Sequence, residues 1–177
     1  MAAAAELFAE HGVDEVTTQQ IADRADVGAG TLFLYAKSKA ELLLLVQNAS
    51  YDRALERGRA DAENIPDVQD AVLTIVRPIV ECNRIRIDNG RRCLREIVFG
   101  EAEEPHHRDA IAITQRTEAA IAEVLKRDQG VSDSDAATLA HIGSVVMFLG
   151  MAASTNIAHT VDEIIDEIGG QLVVLLH

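Results

Sequence analysis

The residues best spaced for chemistry lie in the first forty positions. Thr17 and Gln20 stand three apart, the spacing at which a hydroxyl and an amide cap each other's backbone at a helix start. Ile21, Ala22 and Ala25 then form an inner face, with Ala22 small enough for a second helix to cross closely. Asp26 falls where the chain must turn, and aspartate tolerates left-handed geometry better than most residues. Val27 is expected to plug the gap between the helices, and a second short helix carries Leu32 inward. That spacing is a helix-turn-helix, a motif whose second helix enters the major groove of DNA.

Other chemistry finds little support. Cys82 and Cys93 do not make a disulfide framework and lie on opposite sides of an expected helix break. His106 and His107 are adjacent, so they point to different faces of a helix, and no His-x-x-x-His or Cys-x-x-Cys spacing occurs. No metal and no cofactor is expected. A glycine-rich phosphate loop, a nucleophile elbow and a paired-carboxylate signature are all missing, so no enzymatic activity is expected either. Arg84, Arg86, Arg91, Arg92 and Arg95 share their segment with one acid, Asp88. This local reversal of charge either binds an anionic group or pairs with Glu101, Glu103 and Glu104, and pairing is the expectation.

The elements that must position these residues read as helices throughout. Expected spans are 2–11, 17–25 and 29–36, then a long helix from the Ser38 cap, with Glu41 completing a capping box, to about residue 64. Pro66 ends that helix and Asp67 caps the next, whose stripe is Val72, Ile75, Val76, Ile79 and Val80. Pro78 should kink it and Asn89-Gly90 should end it. Spans 91–103, 105–129 (opened by Pro105), 132–159 (Ser132 with Asp135) and about 161–177 (opened by Thr160 or Asp162) complete nine helices. The expected architecture is all-α, with a three-helix head over 1–46 and a helical bundle over 47–177.

Composition bounds the rest. The chain has 177 residues, 48% hydrophobic and 25% charged, enough for a packed core and against wholesale disorder. No run approaches the length of apolar residues that a membrane span needs, and no secretory signal is visible, so a cytoplasmic location and no membrane partner are expected. The net charge of −13 speaks against a nucleic-acid binder, which normally carries a basic footprint. Residues 1–46 are themselves acidic, with Arg24, Lys37 and Lys39 against seven carboxylates. Few counterions can then be released from DNA, so weak non-specific affinity is expected.

The segment from "AAAAELF" to "KSKAELL" resembles the TetR (tetracycline-repressor-like) family of transcriptional regulators over about residues 1–46. The matching elements are Leu7-Phe8-x-x-x-Gly12, then Thr17-x-x-x-Ile21-Ala22-x-x-Ala25-x-Val27, then Gly30-Thr31-Leu32-Phe33-x-Tyr35-x-Lys37-Ser38-Lys39-x-x-Leu42. The resemblance implies a repressor released from double-stranded DNA, at a pseudo-palindromic operator, by a small-molecule effector. Thr18, Tyr35 and Lys39 fall where such proteins touch phosphates, and Gln19, Ala29, Gly30, Thr31, Phe33 and Leu34 where they approach bases or sugars. Thr17 and Lys37 complete that set, Lys37 sitting with Lys39 at the end of the second motif helix.

Departures from the family pattern are Asp26 for the usual glycine, Gly28 for the usual serine and Ala36 for the usual aromatic residue. The recognition helix is bare of polar groups, so specificity should lean on thymine methyls and DNA shape, with modest affinity. The family also implies a basic arm ahead of "AAAAELF"; a version extended upstream with basic residues is expected to bind DNA better. For the remainder the resemblance implies a homodimer through the eighth and ninth helices (about 132–159 and 161–177) and a ligand cavity. Candidate cavity residues are Val76, Ile79, Cys82, Asn83, Arg86, Phe99, His107, Ile111, Met147, Phe148 and Met151.

Overall fold

The computed structural model describes residues 1–176, which form nine α-helices, a single 3-10 turn and no strand. The helices are α1 (Ala2–His11), α2 (Thr18–Arg24), α3 (Ala29–Leu32), α4 (Lys39–Ala62), α5 (Val68–Arg84), α6 (Ile87–Phe99), α7 (Pro105–Leu125), α8 (Asp133–Ala152) and α9 (Val161–Leu176). The 3-10 turn, Ser154–Asn156, separates the last two. The boundary expected at residue 46 falls inside α4, which runs unbroken from head to bundle.

Side-chain caps set most helix starts. Thr17 and Gln20 form the full reciprocal box at α2, and Ser132 Oγ accepts from the Asp135 N–H at α8. Thr160 and Glu163 bond each other's backbone ahead of α9, which selects Thr160 over Asp162 as the opener. At α4 the box is half made. Ser38 Oγ accepts from the Glu41 N–H, but the Glu41 carboxylate is buried and accepts from the His107 N–H at 3.2 Å instead. An acid read as a local cap is therefore a bolt to α7.

Several expected boundaries are corrected. Asn89-Gly90 does not end a helix; α5 stops at Arg84 and the pair lies inside α6. The dipeptide reads as a turn but serves a crossing. A Cβ at Gly90 would lie 2.2 Å from the Asn83 carbonyl oxygen, so only glycine lets α6 approach α5 this closely. The helix expected over 132–159 ends at Ala152, where Asn156 folds back to donate to the Gly150 carbonyl. Helix α3 is one turn, continued to Ala36 by further turns. Helix α5 continues through Pro78 as one element. One correction concerns membranes: α8 is long and apolar enough to cross one by length and composition, with mean hydropathy 1.4, although here it packs against α7 and α9.

The arginine run does not pair with Glu101 or Glu103, and Glu104 goes to Lys37. Three of its members hold helix ends instead. Arg84 donates to the carbonyls of Asn156, Ile157 and His159, Arg91 Nε to that of Ala152 at 3.0 Å, and Arg86 Nη1 to those of Ala9 and Glu10. A guanidinium answers the orphan carbonyls and the negative end of a helix together. Arg92 pairs within its helix with Glu96 at 2.9 Å.

Both cysteines are reduced and buried. Burial pushes the Cys82 thiol up to about 11 and Cys93 to about 12. At pH 8 each is then at least about a hundredfold poorer in thiolate than a free cysteine. Iodoacetamide on the native protein should leave both unmodified over a time that labels them fully in denaturant, read by intact mass; rapid native labelling would contradict the packing around them.

Candidate nucleic-acid interface and ligand cavity

In the head, α2 and α3 pack on each other through Ile21, Ala22 and Leu32, all buried. The turn between them is held by Asp26 at φ 54, the left-handed conformation expected there, and by the Val27 N–H to the Ala22 carbonyl at 3.0 Å. Two details differ from expectation. Val27 is 39% exposed and lies outside the buried core, and Ala25 is exposed, while Ala22 and Leu32 are the residues buried at the crossing.

What the head shows to solvent is unusual. Phe33, Leu34 and Tyr35 are 53%, 83% and 62% exposed on consecutive positions, and a Cβ on Gly30 would meet nothing within 4 Å. Thr17 and Gln19 are exposed, with Thr18, Ala29 and Thr31 half-buried beside them. Gln19 Nε2 already donates to Asp23 at 2.7 Å and Thr17 is committed to its capping box. An exposed apolar tip flanked by short polar side chains can meet sugars and thymine methyls, but it offers few free hydrogen bonds for reading bases.

The two lysines are both engaged. Lys39 Nζ donates to the carbonyls of Asp14 and Val16, tying the α1–α2 loop to α4. Lys37 Nζ meets Glu104 at 2.9 Å, and that carboxylate holds the ammonium above the ordinary lysine value. A phosphate approaching Lys37 must compete with Glu104. Glu104→Gln should therefore tighten DNA binding a few-fold at low salt, the scale of an exposed ion pair, with the gain vanishing at high salt. Unchanged affinity in a salt-titrated fluorescence-anisotropy assay would remove Lys37 from the phosphate contacts.

Two joints fasten the head to the bundle. Asn89 on α6 is buried, accepts from the Val13 N–H at 2.8 Å and donates to the Phe8 carbonyl at 2.7 Å, so it splices the end of α1. Beside it the Arg86 guanidinium lies over Gly12, where a Cβ would stand 2.9 Å from Nε; Gly12 also has φ 87. At the second joint the N-terminus of α7 reaches the recognition segment: His106 Nε2 lies 2.7 Å from the Tyr35 carbonyl, and Asn48 on α4 donates to the His106 carbonyl.

Within the bundle, α4 to α8 enclose a cavity of about 30 Å³, room for about one water. Of the expected residues, Ile79, Met147, Phe148 and Met151 line it. Val76, Cys82, Asn83 and His107 are buried outside the lining, and Ile111 packs half-buried against the core. Asn83 acts one step removed, donating to the hydroxyl of Tyr51, which does line the cavity. Burial holds the Tyr51 phenol well above its ordinary value, so it stays neutral.

Among the wall residues that sequence reasoning missed are Asn48, Tyr51, Leu94, Thr114, Thr117 and Ser144. Thr114 and Thr117, three apart on α7, and Ser144 inside the most apolar helix were the available signals. Asn48 leaves its buried Oδ1 without a partner. An unpaired buried acceptor is costly and marks where a donor would be welcome.

Arg86 and Phe99 lie elsewhere, on an open groove of about 710 Å³ between the α1–α2 loop, α6 and α8. Leu94 and Phe148 wall both this groove and the cavity. Among the described residues no group of three or more His, Cys, Asp or Glu side chains is placed to hold a metal ion.

Comparison with known proteins agrees with this geometry. Residues 1–46 match the family model for bacterial regulatory proteins of the tetR family. None of the curated proteins matches the chain in sequence. Among solved structures, Thermus thermophilus FadR, a TetR-family repressor in complex with lauroyl-CoA, is 25% identical with TM-score 0.74, covering 99% of this chain and 90% of its own. A TetR transcriptional regulator from Rhodococcus sp. RHA1 is 20% identical with TM-score 0.75, at 98% and 91% coverage. FadR from Bacillus subtilis in complex with stearoyl-CoA is 15% identical with TM-score 0.71, at 99% and 97%. Residues 1–46 thus match the tetR-family model, and the whole chain takes the fold of the TetR-family transcriptional regulators to which it is similar.

Proposed function

We propose that the protein is a dimeric, DNA-binding transcriptional repressor released from its operator by an effector with an acyl chain and an anionic head, of the acyl-CoA class. The DNA reading rests on the paired α2 and α3 with their exposed Phe33-Leu34-Tyr35 tip. Thr17, Thr18, Gln19, Ala29, Gly30, Thr31 and Lys37 surround that tip as the contact set, with Lys39 acting mainly by bracing the loop beneath. The work of such a protein is in the cytoplasm, with the DNA.

The effector reading rests on the cavity and the groove sharing Leu94 and Phe148 as a common wall. A straight apolar chain entering past them would meet Met147, Met151 and Ile79, and methionine side chains re-pack easily to make room. The present volume is well below the roughly 300 Å³ of small-molecule sites, so binding must widen the bundle. Widening it moves α6 and α7, whose ends hold the head. Fold relatives crystallised with lauroyl-CoA and stearoyl-CoA support the choice of class.

A second copy is needed to read a pseudo-palindrome. The support is exposed apolar surface on both of the last two helices: Val145 and Leu149 on α8 are 53% and 67% exposed, and Val173 and Val174 on α9 are 37% and 79% exposed. Selection from a random double-stranded DNA library, followed by mobility shift with and without lauroyl-CoA, tests the whole reading. An enriched pseudo-palindrome released by lauroyl-CoA is expected. No enrichment at low salt overturns the DNA reading, and a complex indifferent to lauroyl-CoA overturns the effector class.

A further inference from the structure

Resting on the acyl-CoA reading above, we infer that the groove beside α6 is the site of the effector's anionic head group, and that Arg86 is the residue through which that head group loosens the DNA-binding head. Four arginines, Arg86, Arg91, Arg92 and Arg95, edge this groove in a chain of net charge −13. Asp14, Glu15 and Asp88 stand on the same groove, so the arginines outnumber the acids around it. Arg95 is exposed with no partner among the described residues. Fork-shaped guanidinium groups match phosphate oxygens in geometry as well as charge.

Arg86 differs from the other three in what it gives up. Its Nη1 holds the Ala9 and Glu10 carbonyls at 3.3 Å each, both long for charge-assisted bonds. Its Nε is buried without any partner. A guanidinium with weak acceptors and one orphan donor has more to gain from a phosphate than from its present contacts. Turning to the phosphate would release the last carbonyls of α1 and the space above Gly12, leaving Asn89 alone at that joint. A ligand shifts a conformational equilibrium only through contacts that differ between the two states, and this exchange supplies one.

The test is hydrogen exchange by mass spectrometry on peptides covering residues 8–15, with lauroyl-CoA, free laurate or no addition, on wild type, Arg86→Gln and Arg86→Lys. In wild type, lauroyl-CoA should speed exchange there about tenfold, whereas laurate, which has the same acyl chain and no phosphate, should not. Arg86→Gln should start at the faster rate and respond no further. It should also bind lauroyl-CoA about tenfold more weakly, with laurate affinity unchanged; that factor corresponds to one charge-assisted hydrogen bond. Should glutamine unfold the joint, Arg86→Lys, which keeps the charge and loses the fork, should show both effects at reduced size. Lauroyl-CoA binding without any change over 8–15, or Arg86→Gln exchanging and responding like wild type, would overturn the role of Arg86 while leaving the effector class intact. Failure of wild type to bind lauroyl-CoA at all would overturn both.

Discussion

Gly90→Ala should lower the stability of the chain by about 3 kcal/mol or more, the upper range for forcing extra volume into a packed site. The new Cβ would be 2.2 Å from the Asn83 carbonyl oxygen and 2.7 Å from its side-chain oxygen. Neither can move cheaply. The Asn83 amide is fixed on the Tyr51 hydroxyl at 2.7 Å, and Asn89, next to the substituted residue, holds Phe8 and Val13 of the head. Forcing α6 away from α5 would therefore disturb the cavity wall and the head joint together. For a chain of this size, the melting temperature should fall by roughly 6–12 °C in a circular-dichroism melt. Gly30→Ala is the control: its Cβ meets nothing within 4 Å, and alanine is the better helix former, so the melt should be unchanged or slightly raised. Equal melts for both variants would mean that α5 and α6 are not as close as Gly90 requires.

The contrast between those two glycines shows what could be read from the chain and what could not. Helix starts were legible because a cap is a local event: Thr17 with Gln20 and Ser132 with Asp135 act within four residues, and Thr160 was one of two openers offered for α9. The head was legible for the same reason, since its turn residue Asp26 and crossing residue Ala22 belong to one short motif. Asn89-Gly90 misled because its partner is Asn83, across a helix junction, and nothing in a turn-forming dipeptide announces a crossing. Glu41 looked like half of a capping box and turned out to hold α7. The arginines looked like partners for nearby glutamates, whereas Arg84, Arg86 and Arg91 reach carbonyls at distant helix ends. The cavity wall was read only where bulky apolar residues signalled it. Asn48 and Tyr51 on α4 were overlooked, because which face of a long helix looks inward depends on all the helices around it. Helix α8 shows the limit most clearly: apolar on most sides, it carries no stripe to say which side meets α7 and α9 and which is left bare.

That bare side leads to the second large effect. On the dimeric reading proposed above, Val174→Glu should convert the protein from dimer to monomer at low micromolar concentration. Val174 is 79% exposed on α9, and Leu149 and Val145 on α8 continue the same kind of unpartnered surface. A two-fold seam uses the same patch on both subunits, so one substitution places two carboxylates at the interface. Each would be packed against helices that offer it no ion pair, since neither α8 nor the described part of α9 carries a Lys or Arg. Burying an unpaired charge costs several kcal/mol, so the dimer constant should weaken by at least a hundredfold. Sedimentation equilibrium would read this directly, and an unchanged helical spectrum would show that the subunit still folds. DNA affinity should fall with it, because a lone subunit places one recognition helix where the pseudo-palindrome offers two half-sites about 34–36 Å apart. Val145 and Leu149 also edge the arginine groove, so in the dimer the partner subunit would close one side of it. Losing the dimer should then weaken lauroyl-CoA binding more than laurate binding, the same signature as loss of a head-group contact. A Val174→Glu protein that stays dimeric would place the seam elsewhere and leave the groove as a property of one subunit.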